Sequence, residues 1–94
     1  MCGGFGNVSN ADESVQQLAN SIRDKVEERL NTKFNTYEVA SYKTQVVAGT
    51  NYKIKIHIGN EAYVHIKVFV GLSCNGGETE LTEAEDNKTI ESEL

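Results

Sequence analysis

Ninety-four residues of formal net charge −5 are enough for one small domain, residues 1–94, with a single core and little margin of stability. The acidity argues against nucleic acid or a membrane surface as partner, because their phosphates would repel the chain. No apolar run approaches the roughly 20 residues that span a bilayer, and the start lacks the basic and hydrophobic segments of a signal peptide, so a cytoplasmic location is expected. Cys2 and Cys74, the only cysteines, do not make a disulfide framework, and both are expected as free thiols. Neither has a base placed beside it, and nothing shows metal-ligand spacing, so neither thiol chemistry nor a cofactor is expected.

Along the chain, residues 1–9 read as a flexible terminus, since glycines at 3, 4 and 6 do not sustain a helix. Asn10 is an expected N-cap, with Glu13 reaching back to it. Val15, Leu18, Ala19, Ile22, Val26 and Leu30 then recur at steps of three and four, predicting one long amphipathic helix over about 12–31. Gln17, Arg23, Asp24, Glu27 and Glu28 occupy its polar side, and Asn31-Thr32 ends it.

An extended run follows over 34–47, and a change of phase between Tyr37-Val39 and Tyr42 predicts a bulge near Ala40-Ser41. Gln45, Val46, Val47, Ala48 and Gly49 lead into a strand over 52–58, with a tight reversal expected at 48–51 because Gly49 takes positive φ freely. Two adjacent valines then fall at a hairpin tip. Either one of them faces the core and the other is simply exposed, or the pair is an apolar probe held out by a rigid hairpin.

Tyr52, Ile54, Ile56 and Ile58 alternate with Lys53, Lys55 and His57, and Val64, Ile66, Val68 and Val70 alternate with His65 and Lys67. A turn at 59–62 makes these two strands a hairpin whose outer face carries solvent-exposed histidines and solubilising lysines. Asn75-Gly76 signals another two-residue turn. The last strand, 78–83, has only Leu81 as a strong apolar residue, and about 84–94 reads as a weakly structured acidic tail. One helix on a curved antiparallel sheet makes an α+β fold.

The run Gln45-Val46-Val47-Ala48-Gly49 resembles the signature loop of the cystatins. Met1-Cys2-Gly3-Gly4, the helix end Glu27-Glu28-Arg29-Leu30 and the segment from Tyr63 through Phe69 extend the resemblance to the stefins, the type-1 cystatins, in the same order and spacing. The resemblance implies a cystatin-like fold and reversible, competitive, tight-binding inhibition of papain-like, cathepsin-like cysteine peptidases, with no catalysis by the chain itself. In that family a wedge plugs the active-site cleft. Here it would comprise the trunk at Cys2, Gly3 and Gly4, a first hairpin at Gln45, Val46, Val47, Ala48 and Gly49, and a second loop at Leu72, Ser73, Cys74 and Asn75.

Phe5 and Gly6 depart from the family pattern, and Ser73 stands where the stefins have proline. Losing that proline predicts a modest cost in affinity, because ordering the loop loses more entropy. A monomer is expected, and a domain-swapped dimer through the first hairpin is the other form the resemblance implies. The alternative reading is a non-inhibitory cystatin-fold module for interaction or self-association.

Overall fold

The computed structural model of the protein describes residues 5–71, 79–92 and 94. The elements are β1 (Ser9–Asn10), α1 (Glu13–Ser21), α2 (Arg23–Leu30), β2 (Glu38–Val47), β3 (Gly49–Gly59), β4 (Ala62–Gly71) and β5 (Thr79–Lys88). The strands form one antiparallel sheet in the order β1-β2-β3-β4-β5. This is the α+β architecture that the helical and alternating patterns imply, and the fold expected from the resemblance. No helix among the described residues is long and apolar enough to cross a membrane.

The N-cap lies two residues later than the capping pattern suggests. Asp12, not Asn10, is the N-cap: its Oδ1 accepts the Val15 N–H at 2.9 Å and the Ser14 hydroxyl at 2.7 Å. Asn10 is instead in register with Ser41 as part of β1. The helix is also interrupted at Ile22 (φ −115°, ψ 10°), which separates α1 from α2. Immediately before the break the Ser21 hydroxyl donates to the Leu18 carbonyl at 2.7 Å, a local bond of the kind that bends helices. The apolar stripe survives the break, since Val15, Ala19, Ile22 and Val26 are all buried. α2 ends at Asn31, in the left-handed conformation with φ 55°.

These side chains close a core with Phe34, Tyr37, Val39, Ile54, Ile56, Val64, Ile66, Val68 and Leu81. Each fully buried aliphatic side chain contributes roughly 1.5–3 kcal/mol relative to exposure. Polar groups fix how the helices sit on β2. Gln16 accepts the Val39 N–H at 2.8 Å and donates to the Tyr37 carbonyl at 3.2 Å, adding side-chain rungs beside the strand's own ladder. The buried Tyr37 hydroxyl donates to the Ala19 carbonyl at 2.8 Å, and burial raises its pKa far above the ordinary tyrosine value.

Glu27 does not join the polar side assigned to it by periodicity. It is buried and accepts the Phe34 N–H at 2.9 Å, with Arg23 Nε at 3.3 Å and Lys33 Nζ at 3.7 Å. Arg23 also donates to the Phe34 carbonyl and lies over the Tyr37 ring. The connection from α2 to β2 is therefore held by one carboxylate with both backbone and cationic partners.

The expected irregularity in β2 is present as a register shift between Val39 and Ser41, which bends the strand around the helices. Asn60 and Glu61, both at left-handed φ (51° and 60°), make the tight turn between β3 and β4. β5 continues to Lys88, with Ala84, Glu85 and Lys88 in register with Ile66, His65 and Tyr63, and Ala84 packs against the core, so strand extends past the point where a weakly structured tail is expected to begin. Pairing to β4 satisfies the backbone even where the side chains offer little apolar area.

Two further corrections concern the outer face of the sheet. Lys55 is buried and its Nζ donates to the carbonyls of Ile90 at 2.7 Å and Ser92 at 2.5 Å, so residues 89–92 are drawn across that face. His65 is likewise buried, and its Nε2 has no hydrogen-bond partner among the described residues. Period-two alternation places both on the outer side. It does not register that Ile90 and Ser92 come back to meet Lys55.

Candidate functional site

The end of the sheet where β2 turns into β3 gathers the sequence-predicted residues that the structure describes. Val46 pairs with Thr50 and Val47 with Gly49, leaving Ala48 alone at the apex. The reversal is thus tighter than the expected 48–51 turn, and Thr50 and Asn51 already belong to β3. Behind the apex the Asn51 amide donates to Gln45 Oε1 at 3.1 Å, linking the two strands through their side chains. Val46 is 76% exposed and Val47 39% exposed. Neither valine is a core residue, so the reading in which one of them faces the core does not hold.

Gly49 supplies the rigidity. It is buried, at φ 129°, with β4 packed against its α-carbon. A Cβ at this position would lie 2.5 Å from the Val70 carbonyl oxygen and 2.8 Å from Phe69 Cζ. Its partner across the β3–β4 ladder is also a glycine, Gly71. Two glycines face to face let the backbones meet without side chains, and the apolar apex projects from that closely packed base.

The remaining predicted residues lie outside the described residues: Cys2, Gly3 and Gly4 on one side, Leu72, Ser73, Cys74 and Asn75 on the other. The described residues nearest to them nevertheless come to this same end of the sheet. Gly71 is in register with Gly49 at the base of the tip. On the other side, β1 runs antiparallel to β2 with Ser9 opposite Tyr42, and the Gly6 N–H donates to the Thr44 carbonyl at 2.9 Å. Read backwards from Ser9 to Phe5, the chain follows β2 toward the apex.

The tip carries no ionisable group, so it offers shape and apolar surface and no acid, base or nucleophile. Charge is found further down the outer face. There Lys53, Lys55 and Lys67 are joined by Lys43 and by the buried His65. Burial, reinforced by the ammonium groups of Lys55, Lys88 and Lys53 and opposed by Glu85, pushes the His65 pKa down to about 4. Among the described residues no group of histidine, cysteine and carboxylate side chains is arranged to hold a metal ion.

One participant at this end escaped the sequence pattern. Phe5 looked like part of a featureless terminus, but its ring lies against the ammonium groups of Lys43, Lys53 and Lys67. The signal was present in the hairpin itself, because a turn centred on Ala48 puts Lys43 opposite Lys53.

The family model described as the Cystatin domain matches residues 3–91. Among curated proteins the chain is 40% identical over 94 residues to Cystatin-B of Macaca fuscata fuscata, covering 100% of this chain and 96% of that protein. It is 39% identical to Cystatin-A1 of Sus scrofa, covering 100% of this chain and 91% of that protein. It is 36% identical to Cystatin-B of Oplegnathus fasciatus, covering 100% and 94% respectively. With the family model matching across the sheet and helices, and relatives aligned over the whole chain, this protein belongs to the cystatin family of cysteine protease inhibitors.

Proposed function

We propose that the protein is a reversible, competitive, tight-binding inhibitor of papain-like, cathepsin-like cysteine peptidases, acting as a monomer in the cytoplasm. It fills the active-site cleft with a wedge made of residues 2–4, 45–49 and 72–75. The observation that carries this reading is the tip itself: Val46, 76% exposed, sits on a hairpin whose base is packed through Gly49 against Val70 and Phe69. An exposed apolar side chain is ordinary. One held out at the end of a sheet, beside the described ends of two further segments, is a preformed binding edge.

Affinity on this reading comes from burying the valines and the small-residue segments beside them in a groove shaped for an extended peptide. Such burial contributes about 25 cal/mol per Å2, from which the costs of association and ordering are subtracted. A rigid hairpin lowers the ordering cost, because the tip has little freedom left to lose. Val46 and Val47 act through shape, and Gly49 through the backbone geometry it alone permits. The residues on either side of Ala48 are paired in the β2–β3 ladder, and on this reading the inhibitor blocks the cleft without offering a scissile carbonyl to the peptidase thiolate.

Steady-state inhibition of papain by the freshly reduced protein, checked for monomer by size exclusion, tests the proposal. Competitive inhibition at nanomolar concentration is the expected result. A folded monomer that leaves papain and cathepsin-like peptidases untouched at micromolar concentration would overturn it, and the self-association module would then be the reading to pursue.

A further inference from the structure

On the outer face of the sheet, β3, β4 and β5 frame a cavity of about 110 Å3 lined by Lys53, His65, Lys67, Glu83, Glu85 and Lys88. Ile66 and Leu94 complete the lining. Strand register accounts for the gathering. Lys53 stands opposite Lys67 and Lys67 opposite Glu83, while Lys55 stands opposite His65 and His65 opposite Glu85. Two polar rows thus lie side by side on one face of the sheet.

The charges around this cavity do not balance. Lys67 pairs with Glu83 at 3.6 Å and Lys88 with Glu85 at 3.8 Å, but among the described residues no carboxylate lies within ion-pair distance of Lys53. Across the strands Lys53 faces another ammonium, and the Phe5 ring near it is neutral. Lys55, buried beside His65, is held by the neutral carbonyls of Ile90 and Ser92. Four ammonium groups therefore stand against two carboxylates, a local excess of positive charge on a chain of net charge −5. The signs also differ in shelter. The Lys67 and Lys88 side chains are 30% exposed and those of Glu83 and Glu85 61% exposed, so solvent screens the carboxylates more than the cations.

His65 adds an independent observation. It is 9% exposed, and its Nε2 is shut off from solvent with no hydrogen-bond partner among the described residues. Such orphaned buried nitrogens are rare in folded proteins. Besides burial, Lys55, Lys88 and Lys53 keep this ring from taking a proton, and an anion among them opposes their repulsion.

We infer that this cavity is a binding site for a small tetrahedral oxyanion of the phosphate or sulfate class, held by the ammonium groups of Lys53, Lys67 and Lys88 against the wall formed by His65. A doubly charged ion matches the local excess, and its oxygens accept charge-assisted hydrogen bonds from the lysines. Binding is linked to the His65 proton, because an imidazolium beside the anion favours both partners, and each strengthens the other by the same factor.

The test follows His65 by NMR during titration with inorganic phosphate, against sodium chloride at equal ionic strength. Phosphate is expected to saturate at millimolar concentration, moving the His65 ring protons and the Lys53 ε-methylene protons together. It should raise the His65 titration midpoint by about one unit, the shift that tenfold tighter binding to the protonated form produces. Lys53→Gln and Lys88→Gln should each weaken phosphate about tenfold, whereas Lys25→Gln, on the exposed side of α2, should not. Equal responses to phosphate and chloride, or wild-type affinity in both cavity variants, would overturn the inference. A response to long-chain polyphosphate with none to inorganic phosphate would overturn it as well, by assigning the lysines to an open polyanion-binding surface. No peptidase enters the measurement, so either outcome leaves the inhibitory reading standing.

Discussion

Gly49 and Val70 approach so closely that a Cβ on residue 49 would come within 2.5 Å of the Val70 carbonyl oxygen. Position 49 is thereby reserved for glycine twice over, by space and by its φ of 129°. Gly49→Ala must either push β4 away or reshape the hairpin. The expected loss of stability is roughly 1–3 kcal/mol, the usual cost of forcing a side chain into a sparsely populated backbone region. Papain inhibition should fall by more than this unfolding accounts for, because the tip changes shape even in the folded fraction. Denaturant titration paired with inhibition assays checks both effects.

Val46 provides the complementary case, in which stability and binding separate. Its side chain is 76% exposed, so Val46→Ala should leave the thermal midpoint unchanged. Removing two buried carbons from a complex should nonetheless weaken inhibition about tenfold. Val46→Asp should weaken it further, since a carboxylate would be desolvated in the cleft without a partner. An undiminished inhibition constant for Val46→Asp would show that the tip does not enter the peptidase.

His65 predicts a pH dependence of stability. Burial and the neighbouring lysines lower its folded pKa to about 4, whereas the unfolded chain titrates near the ordinary value of 6.5. Between those values the unfolded state binds more protons, so stability falls as pH drops through this window, and the group makes no pH-dependent contribution above it. The loss should amount to about 2–3 kcal/mol across the window. His65→Leu should flatten the curve there, which denaturant midpoints measured from neutral pH down to about pH 4 would reveal.

Glu27 governs the acid side in the opposite sense. The Phe34 N–H is the main cause of its lowered pKa. Desolvation works against it, and Arg23 and Lys33 assist. Its contribution is complete above the ordinary value of 4.5 and disappears as pH falls through the lowered folded value. Glu27→Gln keeps an acceptor for Phe34 but loses the charge, so it should be destabilised at neutral pH and approach wild type in acid. Glu27→Ala leaves a buried N–H without its acceptor and should be worse at every pH. Equal stability of Glu27→Gln and wild type at neutral pH would assign the effect to packing instead.

Much of this architecture was legible in the sequence because it depends on periodicity. The stripe from Val15 to Val26, the alternation through Ile54 and Ile56, the β2 irregularity beside Ala40 and the turn before Ala62 each rest on a repeat or a turn residue that acts locally. The pentapeptide from Gln45 to Gly49 likewise announced a hairpin tip and a family. Local chemistry also misled: Asn10 and Asp12 are both good caps, and the choice between them was made by β1 pairing with β2.

Tertiary structure alone decided which polar residues are buried. Glu27, Lys55 and His65 occupy positions that periodicity assigns to solvent, yet all three are buried, the first two against chain that arrives from elsewhere. Phe34 brings its N–H to Glu27, and Ile90 and Ser92 bring their carbonyls to Lys55. Phe5 settles among lysines from three different strands. Period and propensity report the face a residue turns outward from its own element. They carry no information about what later crosses that face, because such contacts depend on the three-dimensional path of distant segments.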